Sequence, residues 1–543
     1  MTPDTILLNA DIHTMDFGRP RARAMAFGNG RILALGSSDD MRSLAGPNTR
    51  VIDAGGRMVL PAFQDAHVHL MDGGTDLAIS AQLYAVETIP ELQDVLGRHA
   101  AKFRGSLMMG AGWQAGLFGD HNLTREVLDA AVHDRPCIVF DSSFHNACIN
   151  SAACAMAGIE PGIADPHNGH FVVDAAGRPT GMLHEEAIYW TRDRLPEIDE
   201  ASYTEGARAG QAHANRHGIT GIIDPNVQHR QVAAYSALDK AGEMTLRVSG
   251  AALVTANDTA KTVVERLTQL RHDYAGPRFW VNSAKFFLDG VLENRTAAMI
   301  EPYADAAGGN APLMFEPGLI RELFTALDAE RFQIHSHVIG DMAVRATLDG
   351  LEAAMDANGR WPSLHQLAHV QVIDPSDLPR FAQLGAMANI QTLWARFDPV
   401  VPDLWIEMIG PKRGPLSYAF RSMLNAGAPY CISSDFPVTT LNPFEIMETA
   451  VTRQAMLQDG AGEPFYPAEC LTIGEALAGY TCHAADACWR GQFTGRLRPG
   501  FSADAIVIDR DVLACPPHEI SQTQVLLTLF EGREVWRDEH FDG

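Results

Sequence analysis

Apolar positions in this chain follow two alternating rhythms. Short, mostly apolar runs recur at residues 218–224, 279–288, 332–337, 364–370, 386–391 and 429–434, each the length of a buried strand. Between them, stretches such as 259–272, 317–330 and 340–356 space their apolar residues at helical period. Strand and helix in regular alternation predict a parallel sheet covered by helices, and the length suits an α/β (β/α)8 barrel of TIM type. The two ends of the chain read differently. Residues 5–8, 24–27, 31–35 and 50–53 form short strand candidates, with Asn29-Gly30 as a tight hairpin signal. The same texture returns at 505–508 and 525–529. Residues 1–59 and 491–543 are therefore expected to form one small β domain built from both termini, flanking a barrel at 60–490. Residues 75–205 break the rhythm and are expected as an insertion after the first barrel strand, able to cover the mouth of the site.

Chemistry-bearing side chains cluster at the ends of these strands. His67-Val68-His69 follows the apolar Met58-Val59-Leu60, and residues at i and i+2 of a strand face the same side, so both imidazoles can grip one metal ion. His335 and His337 close another apolar run, His365 and His369 a third, and Asp435 follows Tyr430-Cys431-Ile432. Lys285 stands in a strand-like stretch where a lysine is out of place unless it pairs or reacts. In a parallel barrel, strand ends converge on one face, where such barrels hold their chemistry. Imidazole and carboxylate donors suit Zn²⁺, with Mn²⁺, Fe²⁺ or Co²⁺ as alternatives, and the lack of nearby cysteine favours a catalytic over a structural site.

The order His-x-His, Lys, His, His, Asp resembles the amidohydrolase superfamily, and its family 3, which includes N-substituted formamide deformylases, over nearly the whole chain. Supporting segments are Asn150-Ser151-Ala152-Ala153 after Asp141–His145, Gly177–Glu185, Lys285–Gly290, His337–Asp341, Ser434–Val438 and Gly495–Val507. The sequence departs from the family at Ala368, Thr392 and Gln114, none of them a metal ligand. The resemblance implies a β-sandwich from the two termini, a carbamylated Lys285 bridging two metals, and a homodimer. On this reading His67, His69 and Asp435 take one ion, His337 and His369 a second, and Lys285, His337 and Asp435 are the catalytic set. A plain lysine salt-bridged to Asp289 or Glu293, beside a single ion, is the alternative. A metal lowers the pKa of water to about 7, and Asp435 would take the proton of the resulting hydroxide and pass it to the departing nitrogen. The expected reaction is hydrolysis of a non-peptide carbon–nitrogen bond, in an amide or N-substituted formamide. A deaminase, esterase, lactonase or isomerase on the same scaffold is the competing class. His145, Glu185, Trp113, Phe118 and Arg396 are candidate substrate contacts.

Composition narrows this picture. A formal charge of −25 argues against nucleic acid and anionic membrane partners, and the expected partner is a small amide-type molecule. Eight scattered cysteines form no Cys-x-x-Cys pair, no run of about twenty apolar residues is present, and the first residues lack a basic, apolar leader, so a reduced cytoplasmic location is expected. Several tempting residues have plainer readings. Cys482, His483 and Cys488 lie in an alanine-rich helix and suit core packing, Asp341 suits a helix cap, and His335 and His365 suit support or packing roles. His13 and His518 read as solvated.

Overall fold

Eight parallel strands run in chain order through one sheet: Phe63–Asp65, Ile219–Val227, Arg247–Leu253, Phe279–Phe287, Gln333–Val338, Gln366–His369, Met387–Ile390 and Tyr430–Ile432. These are the strands of a (β/α)8 barrel in this computed structural model, which describes all residues except 1, 104, 114–122, 143, 398–403 and 458–459. The chain divides into two units, one of residues Met1–His69, Gln211–Asp435 and Thr440–Gly543, the other of Leu70–Gly210 and Phe436–Thr439.

In the first unit, six of the eight barrel strands coincide with the apolar runs of the sequence to within about two residues at most ends. The third, Arg247–Leu253, does not read as a strand, because Arg247, Ser249 and Gly250 interrupt its apolar character. Helices Ala260–Asp273, Pro317–Ala329 and Asp341–Asn358 fall where helical period places them. Their buried faces are the expected stripes, such as Val263, Leu267 and Leu270.

Register sets the levels inside the barrel. Lys285 lies opposite His335, Phe287 opposite His337, and Val338 opposite His369. The described first and eighth strands share no ladder. Their seam is joined by the Asp435 amide on the His67 carbonyl at 2.9 Å and by the Ser434 amide on the Asp65 carboxylate at 3.1–3.2 Å.

The termini form a β-sandwich. One sheet has four strands from the N-terminal segment, with Asn29 and Gly30 both at positive φ in the hairpin between two of them. The other has six and interleaves the ends: Arg533–Arg537, Val525–Phe530, Ala505–Ile508, Met58–Pro61, Asp11–His13 and Arg21–Ala22. Leu7, Met25, Phe27 and Ile52 meet Val507, Leu527 and Leu529 in a shared core, each such side chain contributing about 1.5–3 kcal/mol on burial. His13 lies in one of these strands, buried beside Asp11, and is not the solvated residue its surroundings in the sequence suggest.

The second unit carries its own six-stranded sheet, with Gly169–Val173 at one edge and Ala81–Gln82 at the other. The Thr88 side chain caps helix Ile89–Lys102 in a box with Glu91, and Leu92, Leu96 and Ala100 bury its inner face. Gly74 admits a close helix crossing, since a Cβ there would stand 2.1 Å from the Gly206 carbonyl oxygen.

Candidate metal centre

The strand ends bring the histidines and Asp435 together. Donor atoms of His67, His369 and Asp435 all lie within 4.8 Å of one another, and all three side chains are buried. Asp435 Oδ1 is 3.3 Å from His67 Nε2 and 3.4 Å from His69 Nε2. The His337 and His369 rings stand 4.5 Å apart between centroids. His369 thus lies beside Asp435 and His67 as well as His337.

Backbone conformation aims two of these residues. His369 has φ +79° and Asp435 φ +55°, a region that β-carbons disfavour and that surrounding structure must hold in place. The His369 ring also stacks on Trp394 at 5.1 Å, with planes 9° apart.

The polar atoms at the centre lack the partners that buried polar atoms normally have. His67 Nε2, Asp435 Oδ1 and Lys285 Nζ are buried and make no hydrogen bond. Lys285 Nζ lies 4.4 Å above the Phe287 ring. Burial lowers its pKa to about 7, against the opposing pull of Asp435. Of the two carboxylates considered as partners for Lys285, Asp289 holds the Ala298, Ile339 and Gly340 amides at 2.8–3.0 Å.

Burial, reinforced by the Lys285 charge, holds His67 and His335 well below the usual imidazole range. Burial and then His337 do the same to His369. These rings are neutral and carry the lone pairs that a metal needs. Burial pushes the Asp435 carboxyl up, but the adjoining His69, His369 and Lys285 favour the carboxylate and outweigh it, and the net shift is downward. Neutral imidazoles around an anionic carboxylate, with unpartnered atoms facing inward, match the donor set of a divalent cation.

Other candidates take different places. His335 Nε2 is 2.7 Å from His67 Nδ1, so it supports that ring from behind. His365 accepts the Ile334 amide and pairs with Asp328 at 3.0 Å, away from the cluster. Asp341 does not cap its helix, whose N-cap is Gly340; it is the first helical residue and holds the Ile300 amide at 2.7 Å. Cys482 and Cys488 are buried, and Cys488 packs in an apolar cluster with Ala484 and Ala487.

Arg396 follows the short helix Thr392–Trp394. His145, Glu185 and Trp113 belong to the second unit. There His145 Nδ1 meets Glu185 Oε2 at 2.8 Å, and Glu185 has φ +51°. Trp113 is 1 % exposed in the apolar core of that unit. Gln114 and Phe118 lie outside the described residues. Two features escaped the sequence reading: Asp65 as the stitch of the barrel seam, and Gln391, whose Oε1 is 2.9 Å from His369 Nδ1. The signal for Gln391 was its i, i+2 spacing from Asn389, which gives both the same face of the chain.

A barrel with a His/Asp cluster at its strand ends, in a chain matched by a hydrolase family, defines a metal-dependent hydrolase. The chain belongs to the amidohydrolase family, whose profile matches residues 50–536. Among curated relatives it is 27% identical to the N-substituted formamide deformylase of Arthrobacter pascens, covering 97% of each chain. It is also 27% identical to the putative amidohydrolase YtcJ of Bacillus subtilis, over 97% of this chain and 98% of that one. Protein LONG AFTER FAR-RED 3 of Arabidopsis thaliana is 27% identical over 98% of this chain and 91% of its own. The fold is shared with an uncharacterized metal-dependent hydrolase from Pyrococcus horikoshii, at a TM-score of 0.77 and 23% identity over 95% of this chain and 99% of that chain.

Proposed function

We propose that this protein hydrolyses a non-peptide carbon–nitrogen bond in a small amide or N-substituted formamide. The observation that carries the reading is the buried convergence of His67, His369 and Asp435, with inward-facing atoms that nothing in the protein satisfies. The likeness to an N-substituted formamide deformylase over nearly the full length supports the choice of bond. His67, His69, His337, His369 and Asp435 are the residues that would hold one or two divalent ions, zinc first among them. Such an ion supplies Lewis acidity, polarising a carbonyl and acidifying water.

Asp435 takes the proton from the attacking water through its carboxylate and hands it to the departing nitrogen, because an amine leaves poorly unless protonated. The neighbouring neutral imidazoles hold this carboxylate in place. The unpartnered amine of Lys285 adds CO₂ with loss of a proton, and the resulting carbamate gives the site a further anionic oxygen donor. Arg396 is assigned to substrate contact. The reading includes a cytoplasmic homodimer; the eight cysteines, all unpaired, support the reducing compartment.

The test is a panel of N-formyl, N-acyl and cyclic amides incubated with zinc-loaded protein, measuring released amine and acid. Release of both from members of the panel supports the proposal. No release from any amide, with zinc bound, overturns it in favour of ester, lactone, deamination or isomerisation chemistry.

A further inference from the structure

We infer that Gln391 is a positioning residue that locks the tautomer of His369 and thereby presents its Nε2 lone pair to the metal. This rests on the reading of His369 as a metal ligand. The argument runs through hydrogen-bond direction. A backbone carbonyl only accepts, so the Asn389 side-chain nitrogen, 2.9 Å from the Ala66 carbonyl oxygen, must be the donor there. The same nitrogen donates to Gln366 Oε1 at 2.7 Å. Gln366 is oriented in turn by its own Nε2, which donates to the Ala487 carbonyl at 3.3 Å and to Gln333 Oε1 at 3.1 Å. Gln333 Nε2 ends on the Leu364 and Ala487 carbonyls at 2.7 and 3.0 Å.

With its nitrogen so committed, Asn389 leaves only its oxygen for Gln391. That oxygen accepts from the Ser433 hydroxyl and, at 3.1 Å, from Gln391 Nε2. The second proton of Gln391 Nε2 goes to Ser433 Oγ at 2.6 Å. The Gln391 amide therefore cannot turn over, and its Oε1 is presented to His369 Nδ1 at 2.9 Å as an acceptor. His369 must carry its proton on Nδ1, which leaves Nε2 unprotonated. His369, Asn389, Gln391 and Ser433 are all at most 2 % exposed, so water does not compete for these bonds. No member of the chain between Gln391 and the carbonyls titrates in the working range of an enzyme. The lock is a sequence of amides and one hydroxyl, and it holds its direction at any such pH.

The experiment measures zinc affinity by competition with a chromophoric chelator, and the His369 ring tautomer by ¹⁵N-histidine NMR of the metal-free protein. Gln391→Met keeps the length of the side chain and removes both acceptor and donors. The expected result is a loss of zinc affinity of about 10–100-fold, with His369 changing from the Nδ1–H form to a mixture of tautomers. Thr392→Val is the control: it deletes the neighbouring buried hydrogen bond to the Ile446 carbonyl, 2.9 Å long, which lies outside the chain. It is expected to bind zinc as the unsubstituted protein does. Wild-type zinc affinity in Gln391→Met overturns the inference, as does an equal loss in Thr392→Val, which would show general loosening. His369→Ala separates the underlying reading: unchanged zinc binding in that variant removes His369 from the ligand set, whatever Gln391 does.

Discussion

Two buried charged clusters lie at opposite ends of the barrel, and they are built on opposite terms. At the base, Arg247 pairs with Asp504 at 2.5 Å and with Glu531 and Ser502 at 2.9 Å. Asp504 also accepts the Glu531 amide, the Ser502 hydroxyl and the Thr494 hydroxyl at 2.8–3.0 Å. At the top, His67, Asp435 and Lys285 are as deeply buried and leave a polar atom each without a hydrogen bond. Burying a charge is costly unless partners meet it. The Arg247–Asp504 pair meets that requirement within the chain and joins the C-terminal sandwich strands to the third barrel strand. The top cluster does not, which supports its reading as the place where a cation binds.

The strongest way to break this contrast is Asp435→Asn, which keeps the shape of the side chain and removes its basicity. Turnover of a responsive amide is expected to fall by about 10²–10⁴-fold while the far-UV spectrum stays unchanged, as read by steady-state kinetics and circular dichroism. Surviving turnover would mean that the unsatisfied carboxylate has no chemical role.

The base should respond in the other currency. Arg247→Met leaves Asp504 buried without its cation and should destabilise the protein by about 3–5 kcal/mol in urea unfolding, with turnover per folded molecule unchanged. Removing bound metal with a chelator should lower the melting temperature, and zinc at about a hundredfold over its Kd should restore about 2.7 kcal/mol. A melting curve indifferent to zinc would return the top cluster to a merely structural role.

A third ion pair calibrates the scale. Arg421 grips Glu475 at 2.5 Å near the surface, and its hydrogen bonding, with help from the Thr472 cap, brings the Glu475 carboxyl down from 4.5 to about 2. A depressed carboxyl stabilises fully above its unfolded pKa and loses that contribution as pH falls through the folded one. The window is therefore pH 4.5 down to about 2. Discounted for partial exposure, the effect is about 1 kcal/mol. Glu475→Gln should flatten the stability profile in that window and lower stability at pH 7 by about 1 kcal/mol.

Much of this arrangement is legible before folding. The candidate ligands announce themselves because each follows an apolar strand and because i, i+2 histidines share a face. The third barrel strand is hidden by the same Arg247 that anchors the base, since a buried arginine looks like a break in an apolar run. The short strands Asp11–His13, Arg21–Ala22 and Arg533–Arg537 are equally obscure, being partly polar and dependent on neighbours for their pairing. Asn389 and Gln391 carry only their i, i+2 spacing as a local mark, and Ser433 carries none. Amides and hydroxyls are ordinary in strands, and their direction emerges only when residues 66, 366, 389, 391 and 433 are neighbours in space. His335 shows a related limit: in the sequence it reads as a support or packing residue, and only the tertiary contact with His67 shows which ring it serves.

The seam between the first and eighth strands carries one more implication. Its two stitches, Asp65 to Ser434 and His67 to Asp435, join residues almost 370 positions apart. The residues beside the stitches are also those that gather at the candidate site. A nascent chain, or one cut short before its eighth strand, holds the first two histidines without the carboxylate that completes them. Closure of the ring and assembly of the candidate site are coupled, because Asp435 meets His67 only when the eighth strand meets the first.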